Sequence, residues 1–374
     1  MKDKLKVTRW SLEQWLASEA QHNELLQRST ADPLFQSFAW LSLWWKFFGR
    51  PEDGETVSVY AAHDADRLIG LMPLHHARTA RRWPLNYKSA SFLGNRLRES
   101  RGVPTEYQDV IAERGRDQAV REACLRAFLA DNTDAELSIG WTKAAPYWQK
   151  ALAEQRGNIL RYTRTIDPQT SYQANLSEGF AQYTKGLSAN ARRALLNQRS
   201  QLLKQGNVVS TRLGPSHFSS GLVTLNALHS TRWGKPAFSG KTLQFHERLA
   251  AEPSENFQTI LYELSVDGEV VSSLFDIRCG KTQYNIQMGF DDSRLSGLSL
   301  GILHLGYAIE DAAGAGVDTY DFLGGSGQST NYKARYATQH ADLLTLQTVL
   351  TAPLAALYGA YDLMATRNAN STPS

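Results

Sequence analysis

The sequence predicts a mixed α/β (α+β) chain built from two tandem domains of one design, each a mixed twisted sheet flanked by helices. Three observations predict it. A chain of 374 residues is long for a single hydrophobic core. Residues 60–77 (YAAHDADRLIGLMPLHHA) align without a gap to residues 262–279 (YELSVDGEVVSSLFDIRC). The same order of elements then follows both copies: hairpin, strand, helix, strand.

Each aligned segment has an apolar strand, a polar turn and a second apolar strand. The turns are Asp64-Ala65-Asp66-Arg67 and Asp267-Gly268-Glu269, the pattern of a β-hairpin. A third strand runs into glycine over residues 89–94 in one copy and 284–290 in the other. The helices that follow span 117–130 and 300–313. In the second helix Ile302, Leu303, Leu305, Ile309 and Ala312 recur at the spacing of one buried face, and Gly314 and Gly316 end it. A last strand closes each set, at 135–140 and 318–323. Residues 151–169, a helix end followed by a strand-like run and a proline, form the expected link. The domains expected are therefore 1–165 and 166–350, with a short C-terminal helix and a frayed tail at 351–374. A helix is expected near Phe180, and another over 188–205, with Ser188 as N-cap and Gly206 after its end. Arg192, Arg193, Arg199 and Lys204 line the polar side of that helix, as a solvated face or as an anion-facing patch.

Composition excludes several classes. The balance of 40 basic against 37 acidic residues argues against nucleic acid as a partner, while leaving room for one local basic site for an anionic ligand. No apolar run is long enough to span a bilayer, and no signal-like segment opens the sequence, so a cytoplasmic protein without membrane insertion is expected. The two cysteines, Cys124 and Cys279, are far apart and have no metal-ligand spacing; neither a disulfide framework nor a metal site is expected.

The motif that carries chemistry is Arg294-Leu295-Ser296-Gly297-Leu298-Ser299-Leu300-Gly301. It lies where a strand has ended and a helix begins, so free backbone N–H groups and the helix dipole favour an anion there. Gly297 permits the close backbone approach of a pyrophosphate cradle, Ser299 can cap the helix or bind phosphate, and Arg294 supplies positive charge. A ligand-free strand-to-helix turn is the alternative. Asp321, in a strand beside Tyr320 and Phe322, is the first candidate for a general base, because buried carboxylates are rare without a role or a partner. His229 is the other, since a near-neutral pKa suits proton transfer.

Together with Gly289-Phe290-Asp291, Thr319–Gly325 (TYDFLGG) and Asn331–Tyr336 (NYKARY), this motif resembles the GNAT acetyltransferases. It is similar in particular to the CelD/BcsL-like group associated with cellulose and exopolysaccharide production. It is similar also to the C-terminal half of the Fem-type aminoacyltransferases. The resemblance extends from about residue 35 to residue 349 and is strongest over 261–336. Ser299 departs from the Gly or Ala usual in the loop. The resemblance implies acetyl-CoA or another acyl-CoA as co-substrate, held by Arg294, Gly297, Ser299, Leu300, Gly301 and Lys333. It implies Tyr332, with Tyr336 next, as the group that protonates the departing thiolate. It also implies an acceptor pocket under the loop carrying Arg232 and Trp233, with Arg335 and Tyr336 as further contacts. Packing is the alternative for the tyrosines, and exposed surface charge for Lys333 and Arg335. The acceptor implied is a small molecule or saccharide precursor; a Fem-like aminoacyl-tRNA-dependent transferase and a non-catalytic scaffold are the other readings. The first domain lacks the loop, since 95–102 bring no small-residue run to a helix, and it is expected to bind no CoA.

Overall fold

The computed structural model describes residues 5–370 apart from 83–84, 96–101, 132–133, 156–161, 253–255, 294, 296 and 326–330. In chain order the first elements are β1 (Lys6–Ser11), α1 (Leu12–Leu16), α2 (Glu19–Gln27), α3 (Phe38–Phe48), β2 (Thr56–Asp64), β3 (Arg67–Arg82) and β4 (Leu85–Phe92). Then come β5 (Ile111–Ala112), α4 (Asp117–Asp131), β6 (Glu136–Thr142), α5 (Ala145–Glu154) and β7 (Tyr162–Asn175). Next are α6 (Phe180–Gly186), α7 (Ala189–Arg192), a π turn (Arg193–Asn197), α8 (Arg199–Leu202), β8 (Val208–Arg212), α9 (Phe218–Trp233) and α10 (Lys241–Ala251). The chain closes with β9 (Phe257–Val266), β10 (Glu269–Cys279), β11 (Thr282–Phe290), α11 (Leu300–Gly314), β12 (Thr319–Gly324), α12 (Tyr332–Tyr336), β13 (Gln339–Val349) and α13 (Ala352–Asn370). Among the described residues no helix is long and apolar enough to cross a membrane.

The chain forms two compact units, Met1–Pro168 with Leu343–Ser374, and Gln169–Asp342. In the first, the strands run in the order β1, β2, β3, β4, β6, β13, β7; in the second, β7, β12, β11, β10, β9, β8. Both are mixed sheets with helices packed on them, and one pairing recurs. Strands β4 and β6 are parallel over Ser89–Ser91 against Glu136–Ser138; β11 and β12 are parallel over Thr282–Tyr284 against Thr319–Asp321. The hairpins β2–β3 and β9–β10 precede them as the sequence echo requires. Asp267 and Gly268 take positive φ of 51° and 83°, the left-handed pair that lets a two-residue turn follow the twist of its strands.

Each unit has its own core. In the first, Val120, Cys124 and Phe128 of α4 recur at i, i+4, i+8 and pack with Tyr60, Met72, Leu74, Phe92 and Trp148. In the second, Leu305, Ile309 and Ala312 of α11 pack on Tyr262, Leu274, Tyr320 and Phe322.

Two sequence expectations differ from the structure. The helix expected over 188–205 is interrupted: Ser188 caps α7, but a π turn follows, with the Gln198 amide donating to the Arg193 carbonyl at 3.0 Å. This strap lies against α11, and a Cβ at Gly306 would fall 2.2 Å from the Leu195 carbonyl oxygen. Gly306→Ala is therefore expected to cost about 2–3 kcal/mol through overpacking against backbone, read as a lowered urea midpoint. Of the arginines on the strap, Arg199 pairs with Glu310 at 2.5 Å and stacks over Tyr307 at 3.9 Å. Within the expected link, β7 starts at Tyr162 and runs through Pro168 to Asn175. The last helix is not short, since α13 has 19 residues. Leu354 and Tyr358 anchor it on Ala135 and Val349, and Asp362 accepts from Tyr162 and Arg164, both at 2.7 Å.

Candidate functional site

In the second unit, β11 and β12 stay paired for three residues and then run on separately, β11 to Phe290 and β12 to Gly324. The carboxyl ends of adjacent parallel strands are where ligands bind in open α/β sheets. From one end the chain leads into residues 291–299 and α11; from the other, into α12.

Arg294 lies outside the described residues. Gly297 has φ +83°, and a Cβ built on it meets nothing within 4 Å, so the loop faces open space there. Its carbonyl accepts from Gln198 Nε2 at 3.3 Å, which ties the loop to the π-turn strap. Ser299 is the N-cap residue of α11; its hydroxyl makes no capping bond, while its carbonyl accepts from the Leu303 amide at 2.9 Å. The N–H groups of Leu300, Gly301 and Ile302 precede the first intrahelical bond and so lack a helical partner. Leu300 itself is buried with Leu202, Leu264, Val271 and Leu303. Gly301 lets the helix pack on Phe290, whose ring would be 2.6 Å from an added Cβ.

Phe290 connects the loop to a second group. Arg232 forms an ion pair with Asp292 and lies 4.2 Å over the Phe290 ring; Trp233 meets the same ring edge-on at 5.8 Å. His229, buried in the last turns of α9, stacks on Trp233 at 4.4 Å. Its Nδ1 lies 2.7 Å from the Lys235 carbonyl oxygen. A carbonyl only accepts, so Nδ1 carries the hydrogen and the neutral ring keeps its lone pair on Nε2. The structure thus brings His229, Arg232 and Trp233 together beside the start of α11.

The other predicted residues gather at the end of β12. Asp321 is buried; its Oδ2 accepts from Gln173 Nε2 at 2.6 Å and its Oδ1 from the Leu323 amide at 2.8 Å. Lys333 Nζ donates to the Gly324 and Leu323 carbonyls at 2.6 and 3.3 Å, so its ammonium is engaged by the strand end. Asn331 caps α12, its side chain accepting from the Ala334 amide at 3.2 Å. Tyr332, on the first turn, is half-buried against the cluster containing Tyr320 and Phe322. Burial, with the nearby Asp276 charge second, pushes its hydroxyl up to about 12. Tyr336 is buried, its carbonyl accepting from Tyr183 at 2.8 Å, and Arg335 is exposed.

Sequence reasoning missed the buried polar centre of this unit. Asp276, in β10, is fully buried and accepts from Gln283 at 2.6 Å, Tyr320 at 2.8 Å and Asn285 at 2.9 Å. Burial lifts it to about 6 against these hydrogen bonds. His304 of α11 meets the Ser272 hydroxyl at 2.8 Å, and burial holds its ring down to about 3, hence neutral. The available signal was an aspartate within the largely apolar run Val270–Cys279 (VVSSLFDIRC), where an unpartnered carboxylate would be prohibitive.

Residues 189–334 match the model of a family described as an acetyltransferase (GNAT) domain. The second unit therefore carries a GNAT-type domain. The whole chain is similar to a crystal structure of FemX: TM-score 0.62, 11% identity, covering 94% of this chain and 99% of that one. It is similar also to the C-terminal domain of a putative lysylphosphatidylglycerol synthetase from Agrobacterium fabrum, with TM-score 0.51, 9% identity and coverage of 91% and 94%. For L-PGS from Bacillus licheniformis the TM-score is 0.50, at 9% identity with coverage of 93% and 96%. At these identities the likeness is one of fold. No curated protein sequence matches the chain.

Proposed function

We propose that the chain is an acyl-CoA-dependent acyltransferase. It moves an acyl group, acetyl in the simplest case, to an amine or hydroxyl of a small or saccharide-pathway acceptor. The observation that carries the reading is the loop at Gly297: left-handed, facing open space, and leading into the first turn of α11 beyond the parting of β11 and β12. The Leu300–Ile302 N–H groups and the Ser299 hydroxyl suit a pyrophosphate, and an extended arm would run along the strands where the β11–β12 pairing ends. When bound, acyl-CoA supplies an activated thioester carbonyl.

The chain's own groups then divide the work. Tyr332 holds a proton at its hydroxyl through the working pH range and passes it to the departing sulfur as the carbon–sulfur bond breaks. His229 Nε2 takes the proton from the attacking amine or hydroxyl; its fixed tautomer supports this over Asp321, whose two oxygens both accept hydrogen bonds. Arg232, Trp233 and Phe290 line the acceptor side.

The test is release of free thiol from acetyl-CoA with a panel of amine and hydroxyl acceptors. Gly297→Trp would fill the open space with an indole, and the left-handed backbone adds a penalty of roughly 1–2 kcal/mol. Turnover is expected to fall to background in a variant that still folds; unchanged turnover would place the cofactor elsewhere.

The fold shared with FemX favours a second reading, transfer from an aminoacyl-tRNA. Transfer from charged tRNA with no thiol release would establish that reading instead, and inactivity with both donors would point to a scaffold.

A further inference from the structure

We infer that residues 103–108 occupy the first unit's counterpart of the cofactor cleft as a built-in ligand, leaving the chain one acyl-CoA site. What the cleft takes rests on the reading above; the occupancy rests on the first unit alone.

Strands β4 and β6 part beyond Ser91 and Ser138 just as β11 and β12 part beyond Tyr284 and Asp321. In the first unit the gap is bridged. Gln108 is 1% exposed, and its carboxamide spans from one strand end to the other. Its Nε2 donates to the Leu93 carbonyl at 3.1 Å and the Phe92 carbonyl at 3.5 Å, while its Oε1 accepts from the Gly140 amide at 3.2 Å. One neutral amide thus satisfies a donor and acceptors that a bound ligand would otherwise have to meet or water would have to solvate.

The segment is held along its length. Thr105 and Asn95 exchange two hydrogen bonds, the Thr105 amide to Asn95 Oδ1 at 3.0 Å and Asn95 Nδ2 to the Thr105 carbonyl at 2.7 Å. Two tryptophans of α3 back it: Trp40 Nε1 donates to Thr105 Oγ1 at 2.9 Å and Trp44 Nε1 to the Val103 carbonyl at 3.1 Å. Contact with the turn after β4 is close enough that a Cβ at Gly94 would sit 2.4 Å from Thr105 Oγ1.

Counting on from the paired residues, Gly140 corresponds to Leu323. In the second unit that amide is held by Asp321 Oδ1 at 2.8 Å, a short side chain of the same strand, and Gln108 has no counterpart in that bond. The two copies of one framework therefore differ in what satisfies the parted strands: a segment of chain in the first, a strand-end carboxylate beside open loop space in the second.

The experiment combines native mass spectrometry of the full chain with CoA and hydrogen exchange at Gly140. One CoA per chain is expected for the wild type and for Gln108→Ala, and none for Gly297→Trp. Two per chain in the wild type, with one retained in Gly297→Trp, would overturn the inference. If the wild type binds no CoA, the reading of the second unit fails, and exchange still decides the first. Gln108→Ala should speed exchange of the Gly140 amide at least about tenfold while Leu71 and Met72 in β3 keep their rates. Unchanged Gly140 exchange would overturn the inference; Gln108→Met, closer in volume, serves if the alanine variant does not fold.

Discussion

Tyr332→Phe is expected to lower kcat by about 10²–10⁴-fold, the range for loss of a positioned general acid, with little change in thermal stability. The hydroxyl sits on the first turn of α12 beside the aromatic cluster of the second unit, so the ring's packing survives the substitution while the proton does not. Burial first, and the Asp276 charge second, hold the phenol protonated up to about 12. The wild-type rate should accordingly show no alkaline fall from this group between pH 6 and roughly pH 10. A purely structural role is separable by the leaving group. An acyl donor whose thiol is more acidic needs no proton, so it should restore most of the lost rate in Tyr332→Phe. A variant equally slow with both donors would mean that Tyr332 only packs.

Asp276→Leu is expected to lower the stability of the second unit by about 3–5 kcal/mol, the cost of breaking a buried charged network and leaving its partners unpaired. Gln283, Tyr320 and Asn285 all donate to this carboxylate, and each would lose its acceptor in the interior. The pH dependence has a definite sign. Burial raises Asp276 from 3.8 to about 6, so between those values the folded state holds the proton more tightly than the unfolded state. Stability from this group is greatest below about pH 4 and declines as pH rises through 6. Comparing urea midpoints of the wild type and Asp276→Asn across pH 4–7 isolates that slope, which the amide variant should lack.

The repeated framework was legible because hairpins and amphipathic helices are written locally. The polar turn at Asp267-Gly268 and the spacing of Leu305, Ile309 and Ala312 each depend on residues within one element. The π turn was not legible: its Leu195 carbonyl packs against Gly306, more than a hundred residues away in sequence, and no local pattern names that neighbour. Nor was the course of β7 through Pro168, where the strand forms through pairing with distant segments. At the candidate site, the Gly297 loop announced itself through glycine and its place before a helix. Asp276 and Gln108 did not, since a carboxylate in an apolar strand and a glutamine in a loop acquire meaning only from partners on other elements, Tyr320 of β12 for the one and Gly140 of β6 for the other. Lys333 has two readings in the sequence, a ligand-facing charge and an exposed surface charge, and neither names the Gly324 carbonyl to which its ammonium is bonded.

A calorimetric titration of the purified chain with acetyl-CoA, in parallel with Gly297→Trp, tests most directly whether residues 169–342 hold an acyl-CoA. Micromolar binding of one equivalent by the wild type, abolished in the folded variant, is the expected result. A folded wild type that takes up no acetyl-CoA, or a variant that binds it as well as the wild type, would contradict it.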